Sequence, residues 1–142
     1  MVANQDFDHR LTIVARPDLP SWQSMNAVAH VAAYLGHQMT DRFDTGEWFV
    51  TKDGIRLPRN TQYAIIILRA DRQRVNDFLE PAQEHDLIHL GLVRDMIDTT
   101  NDQEIEIILS HKSATDVEYL AVGAFAPNDR LKKITFGLAL WK

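Results

Sequence analysis

Near its start the chain reads Arg10-Leu-Thr-Ile-Val-Ala-Arg-Pro-Asp-Leu-Pro20, and an alanine-rich segment follows. The apolar and β-branched residues 11–15 predict a buried strand, because such runs fit a sheet that is covered on both faces. The two prolines end this pattern, and the segment behind them is typical of a helix. Sites in α/β proteins are usually built where a strand passes into a helix, so this junction is the first candidate for function.

The predicted helix after the junction has two stripes of different character. One stripe is apolar at helical spacing between residues 25 and 35 and is predicted to face the core, and Gly36 is predicted to end the helix. Asn26, His30 and His37 share a second stripe that could face a cleft. The apolar stripe consists of Met25, Val28, Ala32 and Leu35.

Three more strands are predicted further along, with helical segments between them. Residues 63–68 form the strongest strand, and because they are apolar throughout we expect them to be central in the sheet. Asn101 followed by Glu104 resembles a capping box, which favours a helix there over a strand. Alternating strands and helices indicate a layered α/β domain. The four predicted strands are 11–15, 63–68, 87–93 and 117–125.

The domain organisation follows from composition along the chain. Residues 1–9 are expected to form a flexible N-terminal lead-in, and residues 10–142 a single domain. Residues 36–60 are polar and irregular, so we expect them to leave the core as an excursion. Within it, Asp53-Gly54 lies between two apolar runs and predicts a hairpin, which could act as a lid, as an interface or as a plain surface loop.

Composition argues against several classes of function. The net charge of −5 disfavours nucleic-acid binding, since that affinity depends on neutralising phosphates. Cysteine is absent, so thiol catalysis and cysteine-ligated zinc are excluded. No apolar run reaches the length of a membrane span and no secretory signal pattern is present, so we expect a cytoplasmic location. The sequence lacks a glycine-rich phosphate loop, a serine-hydrolase elbow and a zinc-binding helix, and we expect neither cofactor nor metal.

Four separated segments resemble the type 2 peptidyl-tRNA hydrolases. In that family a strand ends in Val-Val-Arg-x-Asp-Leu, and residues 14–19 here read Val-Ala-Arg-Pro-Asp-Leu. Residues 26–30 occupy the helical part of the motif, residues 95–99 keep the Asp and Thr of a later motif, and residues 134–140 resemble the family's last segment. An uncharacterised bacterial family of unknown function with the same fold is more similar still. The resemblance implies a three-layer α/β domain with a mixed four-stranded sheet.

One departure from the hydrolases concerns their chemistry. Asn26 stands where that family has a lysine, and His30 stands where it has a glutamine. A lysine can place positive charge on a developing oxyanion or a nearby phosphate, whereas asparagine offers only a neutral dipole. The resemblance therefore predicts the fold and leaves the reaction open.

The candidate catalytic residues can be interpreted in two ways. His30 could take a proton from water, with Asp95 orienting it, because histidine titrates near neutral pH. Asn26 and either Thr99 or Thr100 could then hold a substrate carbonyl. The alternative is that His30 is an ordinary hydrogen-bonded residue of the helix.

Three further residues are candidates for ligand binding. Arg16 and Asp18 could bind a substrate, or could lock the strand-to-helix turn through an internal ion pair. Lys133 could contact a phosphate or carboxylate, or could lie at a solvated helix end.

Two hypotheses for the function follow. The first is a divergent binding domain that holds a small molecule or a peptide at the cleft beside the first strand-to-helix junction. The second is a metal-independent hydrolase of aminoacyl or peptidyl esters such as peptidyl-tRNA, which would make tRNA a partner. The acidic charge and Asn26 favour the first. Together with the resemblance, four large aromatic residues, more than a small core can hide, indicate a homodimer: Trp22, Trp48, Phe49 and Trp141.

Overall fold

The computed structural model describes residues 5–40 and 46–142. Within these residues it contains a mixed five-stranded sheet with helices on both faces, and a separate two-stranded hairpin. None of the described helices is both long and apolar enough to cross a membrane. In chain order the elements are β1 (Asp6–Ala15), α1 (Ser21–Met39), β2 (Phe49–Val50), β3 (Arg56–Leu57), β4 (Tyr63–Arg69), α2 (Arg72–Glu84), β5 (Ile88–Val93), α3 (Asp95–Asp98), α4 (Asp102–Ser110), a 3₁₀ turn (Ala114–Asp116), β6 (Tyr119–Pro127), α5 (Asn128–Ile134) and β7 (Ala139–Leu140).

The central strand of the sheet is β1. The order is β5-β6-β1-β4-β7, in which β1 is parallel to β4 and the other neighbours are antiparallel. The parallel pair requires a crossover connection, and α1 lies within it. The strand expected to be central, β4, is second from the edge. Only Leu68 and Arg69 of β4 pair with β7, so its other outer-edge residues are not covered by that strand.

The sheet has more strands than the four expected. The additional strand, β7, is two residues long, which is too short for an alternating pattern to reveal it. β1 also begins earlier than expected, at Asp6, so residues 6–9 belong to the sheet and not to a lead-in. The side chain of Asn128 donates to the carbonyl of Phe7, so a contact remote in sequence helps to hold this end. Residues 1–4 of the expected lead-in lie outside the described residues.

Two apolar clusters lie on opposite faces of the sheet. α1 packs on one face over Leu11 and Ile13 of β1. α2 and α5 pack on the other face, over Val14 of β1 and Val122 of β6. Because successive side chains of a strand point to opposite faces, β1 contributes to both clusters. The described part of the chain is therefore a three-layer α/β domain.

The buried face of α1 is turned relative to the expected one. Met25 is 72% exposed, whereas Ser24 beside it is buried. The Oγ of Ser24 donates to the carbonyl of Arg16 at 2.9 Å, so this polar side chain is buried with its hydrogen bond made. The helix also continues past Gly36, because its next turn still packs on the core. The buried residues of α1 are Ser24, Ala27, Val31, Leu35 and Met39.

The predicted hairpin and the predicted capped helix are both present. β2 and β3 pair antiparallel around a turn in which Gly54 has a φ of +88°, and all four of their residues are exposed. At the start of α4, the side chain of Asn101 accepts from the backbone N–H of Glu104 at 3.0 Å, which confirms the cap. Residues 41–45 of the expected excursion lie outside the described residues.

Candidate functional site

A groove of about 280 Å³ lies between α1 and α4, and we call it the α1–α4 groove. α1 contributes Asn26 and His30, which are one helical turn apart, and α4 contributes its first residue, Asp102. The remaining lining is apolar and comes from β5, α3 and α4. It consists of Leu92, Met96, Ile97 and Ile105.

The polar side chains of this groove are available to a ligand. Asn26, His30 and Asp102 are all exposed. Within the described ranges, none of the three side chains has a hydrogen bond or ion pair to another residue. Asn26 and His30 of the expected stripe therefore do face a groove, with an amide and an imidazole on one helix and a carboxylate on another.

Asp95 is held by a lysine instead of lining the groove. It is buried at the start of α3, and both of its carboxylate oxygens accept hydrogen bonds from Lys112 Nζ, at 2.9 and 2.8 Å. Such charge-assisted pairs are among the stronger contacts in proteins. Asp95 thereby joins α3 to the segment that follows α4, and the structure does not pair it with His30.

The hydroxyls of Thr99 and Thr100 are engaged in the turn before α4. Thr99 Oγ1 donates to the carbonyl of Asp95 at 2.7 Å. The backbone N–H of Thr100 donates to Glu104 Oε2 at 2.8 Å, and its hydroxyl also contacts that carboxylate. These bonds fix the start of α4 and so determine where Asp102 stands.

Arg16 and Asp18 form an internal ion pair, which is one of the two roles that the sequence left open for them. Arg16 Nε and Nη2 donate to the two carboxylate oxygens of Asp18 at 3.0 and 2.7 Å, and Nη1 donates to Glu118 at 2.6 Å. Bonding to Asp18 raises the pKa of the Arg16 guanidinium; burial opposes this rise and the bond to Glu118 adds to it. The bond from Arg16 in turn lowers the pKa of Asp18. The arrangement locks the end of β1 to the turn that starts α1.

Lys133 is separated from the groove by the sheet. It is an exposed residue of α5, which packs on the face opposite α1. His37 is exposed on α1, two turns beyond His30, and does not line the groove. Of the residues proposed from the sequence, the structure brings Asn26 and His30 together.

Asp102 and the apolar lining were not identified from the sequence. The capping pattern at Asn101 predicts where α4 begins, but nothing in a local pattern indicates that α4 lies beside α1. The short helix α3, which supplies Met96 and Ile97, was not expected at all. Among the described residues no group of three or more histidine, aspartate or glutamate side chains is placed to hold a metal ion.

Comparisons with known proteins agree with the fold and name no activity. Residues 9–142 match the family model described as "Protein of unknown function (DUF2000)". Among solved structures the chain is similar to a protein of unknown function from Agrobacterium tumefaciens strain C58, with a TM-score of 0.82 and 21% identity over 96% of this chain and 100% of that one. No curated protein matches the chain. At this identity the likeness shows the fold alone.

Proposed function

The chain belongs to the DUF2000 family of proteins of unknown function, and we propose that it is a binding domain for a short peptide or a peptide-like small molecule. The observation that carries this proposal is the α1–α4 groove. Three polar side chains without a partner among the described residues, Asn26, His30 and Asp102, converge there on an apolar lining. Concave sites with a few placed polar groups on an apolar surface are typical of ligand binding.

The lining indicates which chemistry the ligand carries. The side chain of Asn26 offers both a donor and an acceptor, which suits an amide group. Asp102 is the charged residue among the described lining, and its carboxylate favours an ammonium or guanidinium group. Met96 and Ile97 favour an apolar stem beside it. We therefore expect a ligand with an amide and a cationic group on an aliphatic chain, as in a lysine-containing peptide.

The alternative function is hydrolysis of an aminoacyl or peptidyl ester such as peptidyl-tRNA. It rests on the resemblance to the type 2 peptidyl-tRNA hydrolases and is favoured by the position of His30 in the same groove as Asn26. Asp102 would have to orient the imidazole, because Asp95 is bonded to Lys112. The carboxylate of Asp102 would then repel the developing oxyanion, which a cation would stabilise. We therefore favour binding over hydrolysis.

Nuclear magnetic resonance of the ¹⁵N-labelled protein tests the binding. Titration with Nα-acetyl-lysine N-methylamide is expected to shift the amide signals of Asn26, His30 and Asp102, whereas Nα-acetyl-glutamate N-methylamide is expected to leave them unchanged. The variant Asp102→Asn should weaken binding of the lysine compound about tenfold, since a charge-assisted contact is lost.

Asp129→Asn is the matched control, because Asp129 is also an exposed aspartate in the first turn of a helix, on the other face of the sheet. It should bind the lysine compound like the wild type. Equal responses to both compounds, or no response to either at millimolar concentration, would contradict the proposal.

Turnover of an N-acyl-aminoacyl-tRNA separates binding from catalysis. We expect none from the wild type. Turnover that is lost in His30→Ala and retained in His37→Ala would replace the binding domain by the hydrolase, because both histidines are exposed on α1 and only His30 lines the groove.

A further inference from the structure

The hairpin β2–β3 carries a large exposed apolar surface. Two-residue strands are too short to be stable in water without packing partners, yet every residue of β2 and β3 is exposed. The guanidinium groups of Arg56 and Arg59 lie over the rings of Trp48 and Phe49, at 5.0 and 4.4 Å. Phe49 lies opposite Leu57 in the register, so these two side chains and that of Ile55 lie on one face of the hairpin. They are 47% to 56% exposed, and we call this face the hairpin surface. Trp48 and Val50 lie on the other face, with Arg56.

A second apolar surface lies at the β4 edge of the sheet. α1 packs mainly over β6, β5 and β1, so the side of β4 that faces α1 is only partly covered. An apolar cavity of about 270 Å³ is present there. Trp22 lies one helical turn before Met25, and Ile65 lies two residues before Ile67 on the same face of β4, so we include both side chains in what we call the edge groove. Its lining consists of Ser24, Met25, Val28, Ala29, Ile67 and Trp141.

We propose that the hairpin surface of one copy of this chain docks into the edge groove of a second copy, and that the second copy returns the same contact. A two-fold axis makes such an exchange closed and self-limiting, since each contact is then made twice. Three of the seven exposed aromatic side chains in the described part of the chain lie on these surfaces, Phe49 on the hairpin surface and Trp22 and Trp141 at the edge groove.

The size of the two surfaces supports the reciprocal arrangement. The hairpin surface exposes about 300 Å² of apolar side chain and the edge groove about 500 Å², given the exposed fractions and the areas of large side chains. A single contact would bury about 800 Å² at most, which is small for a specific interface, whereas two would bury about 1,600 Å², which is the usual size of a stable interface. The edge groove also adjoins the part of β4 that β7 leaves unpaired, and open strand edges are common sites of association.

Sedimentation velocity of the full chain tests the dimer. We expect the wild type to be dimeric at 50 μM, and Phe49→Asp and Met25→Asp each to weaken the dimer more than tenfold. Both side chains are exposed in the single copy, at 54% and 72%, so neither substitution should disturb the fold, which circular dichroism checks. Phe136→Asp is the control, because Phe136 is 82% exposed and belongs to neither surface.

Disulfide trapping tests which surfaces meet, because the chain has no cysteine of its own. Phe49→Cys and Met25→Cys, mixed and oxidised, are expected to give the mixed disulfide in excess of either homodimeric one. A wild type that is monomeric at 200 μM would overturn the proposal. So would Met25→Cys homodimers as the main product, which would mean that groove faces groove, or Phe49→Cys homodimers, which would mean that hairpin faces hairpin.

Discussion

Thr12 lies fully buried in the central strand, and its hydroxyl has no hydrogen-bond partner among the described residues. Its neighbours in register are Ile66 on β4 and Ala124 on β6. A buried hydroxyl without a partner costs free energy, and valine keeps the branched shape that suits a strand. We expect Thr12→Val to raise the free energy of unfolding by about 1 kcal/mol, measured by urea denaturation.

Thr135 provides the matched comparison for this prediction. It is also buried, but its Oγ1 donates to the carbonyl of Leu131 at 2.7 Å. Thr135→Val should therefore lower the free energy of unfolding by about 1 kcal/mol, the opposite sign. Equal destabilisation by both variants would mean that the Thr12 hydroxyl is satisfied by buried water.

Single residues also show which side-chain contacts can be predicted from the sequence. The spacing of Arg16 and Asp18 indicated that an ion pair was one of two possibilities, because both side chains lie in one short turn. Glu118 also binds Arg16 but lies 102 positions away, so no local sequence pattern indicates this contact. The same holds for Ser24, whose burial depends on the carbonyl of Arg16 being within reach. Partners that only the fold brings together could not be predicted.

Packing of α1 on β6 depends on Gly123. A methyl group at this position would lie 2.5 Å from Val31 Cγ1, and 3.2 Å from both Ile13 Cγ1 and the carbonyl oxygen of Thr12. The helix would have to move away from the sheet, and overpacking of this kind costs about 1–3 kcal/mol. We expect Gly123→Ala to lower the free energy of unfolding by about 2 kcal/mol, measured by chemical denaturation.

A double-mutant cycle tests whether Val31 is the cause. In the background Val31→Ala the added methyl group finds space, so the double variant should be more stable than the sum of the two single effects by about 1 kcal/mol. Gly91→Ala serves as the control, because its methyl group would meet the ring of Tyr119 and not α1. Its effect and that of Val31→Ala should simply add, and additivity in both cycles would contradict the assigned contact.

Elements were more predictable than their arrangement. Strong apolar runs located β1, β4, β5 and β6, and a capping pattern located α4, because these signals are local. The strand β7 has only two residues, which is too short to show an alternating apolar pattern. The buried face of α1 depends on the strands against which the helix packs, which no local pattern indicates. The α1–α4 groove forms because α4 returns to the α1 side of the sheet. For this reason the sequence indicated Asn26 and His30 as site candidates but not Asp102.

At the scale of the whole molecule, one charged network joins three strands at the same end of the sheet. Arg16 follows β1, Arg94 follows β5, and Glu118 precedes β6. The carboxylate of Glu118 contacts Arg16 at 2.6 Å and Arg94 at 3.0 Å, and Asp18 is paired with Arg16. The network thus holds the junction from which α1, and with it the α1–α4 groove, departs.

Because of this network, the free energy of unfolding depends on pH. Burial raises the pKa of Glu118, but hydrogen bonds from Arg16 and Arg94 together with their charges outweigh it and lower the pKa below its ordinary value of 4.5. A carboxylate whose pKa is lower in the folded state stabilises that state above its unfolded pKa, and the stabilisation is lost as pH falls through the folded pKa. Asp18 acts in the same direction, since the bond from Arg16 lowers its pKa too.

We therefore expect Glu118→Gln to lower the free energy of unfolding by about 2 kcal/mol at pH 7, because Arg16 and Arg94 lose a charged partner. Between pH 5 and pH 3 the wild type should lose stability more steeply than the variant, so that the two denaturation curves converge. Glu106→Gln, which changes an exposed glutamate of α4 outside the network, should follow the wild type throughout. A difference between Glu118→Gln and the wild type that stays constant from pH 7 to pH 3 would show that shape, and not charge, gives Glu118 its role in joining the strands.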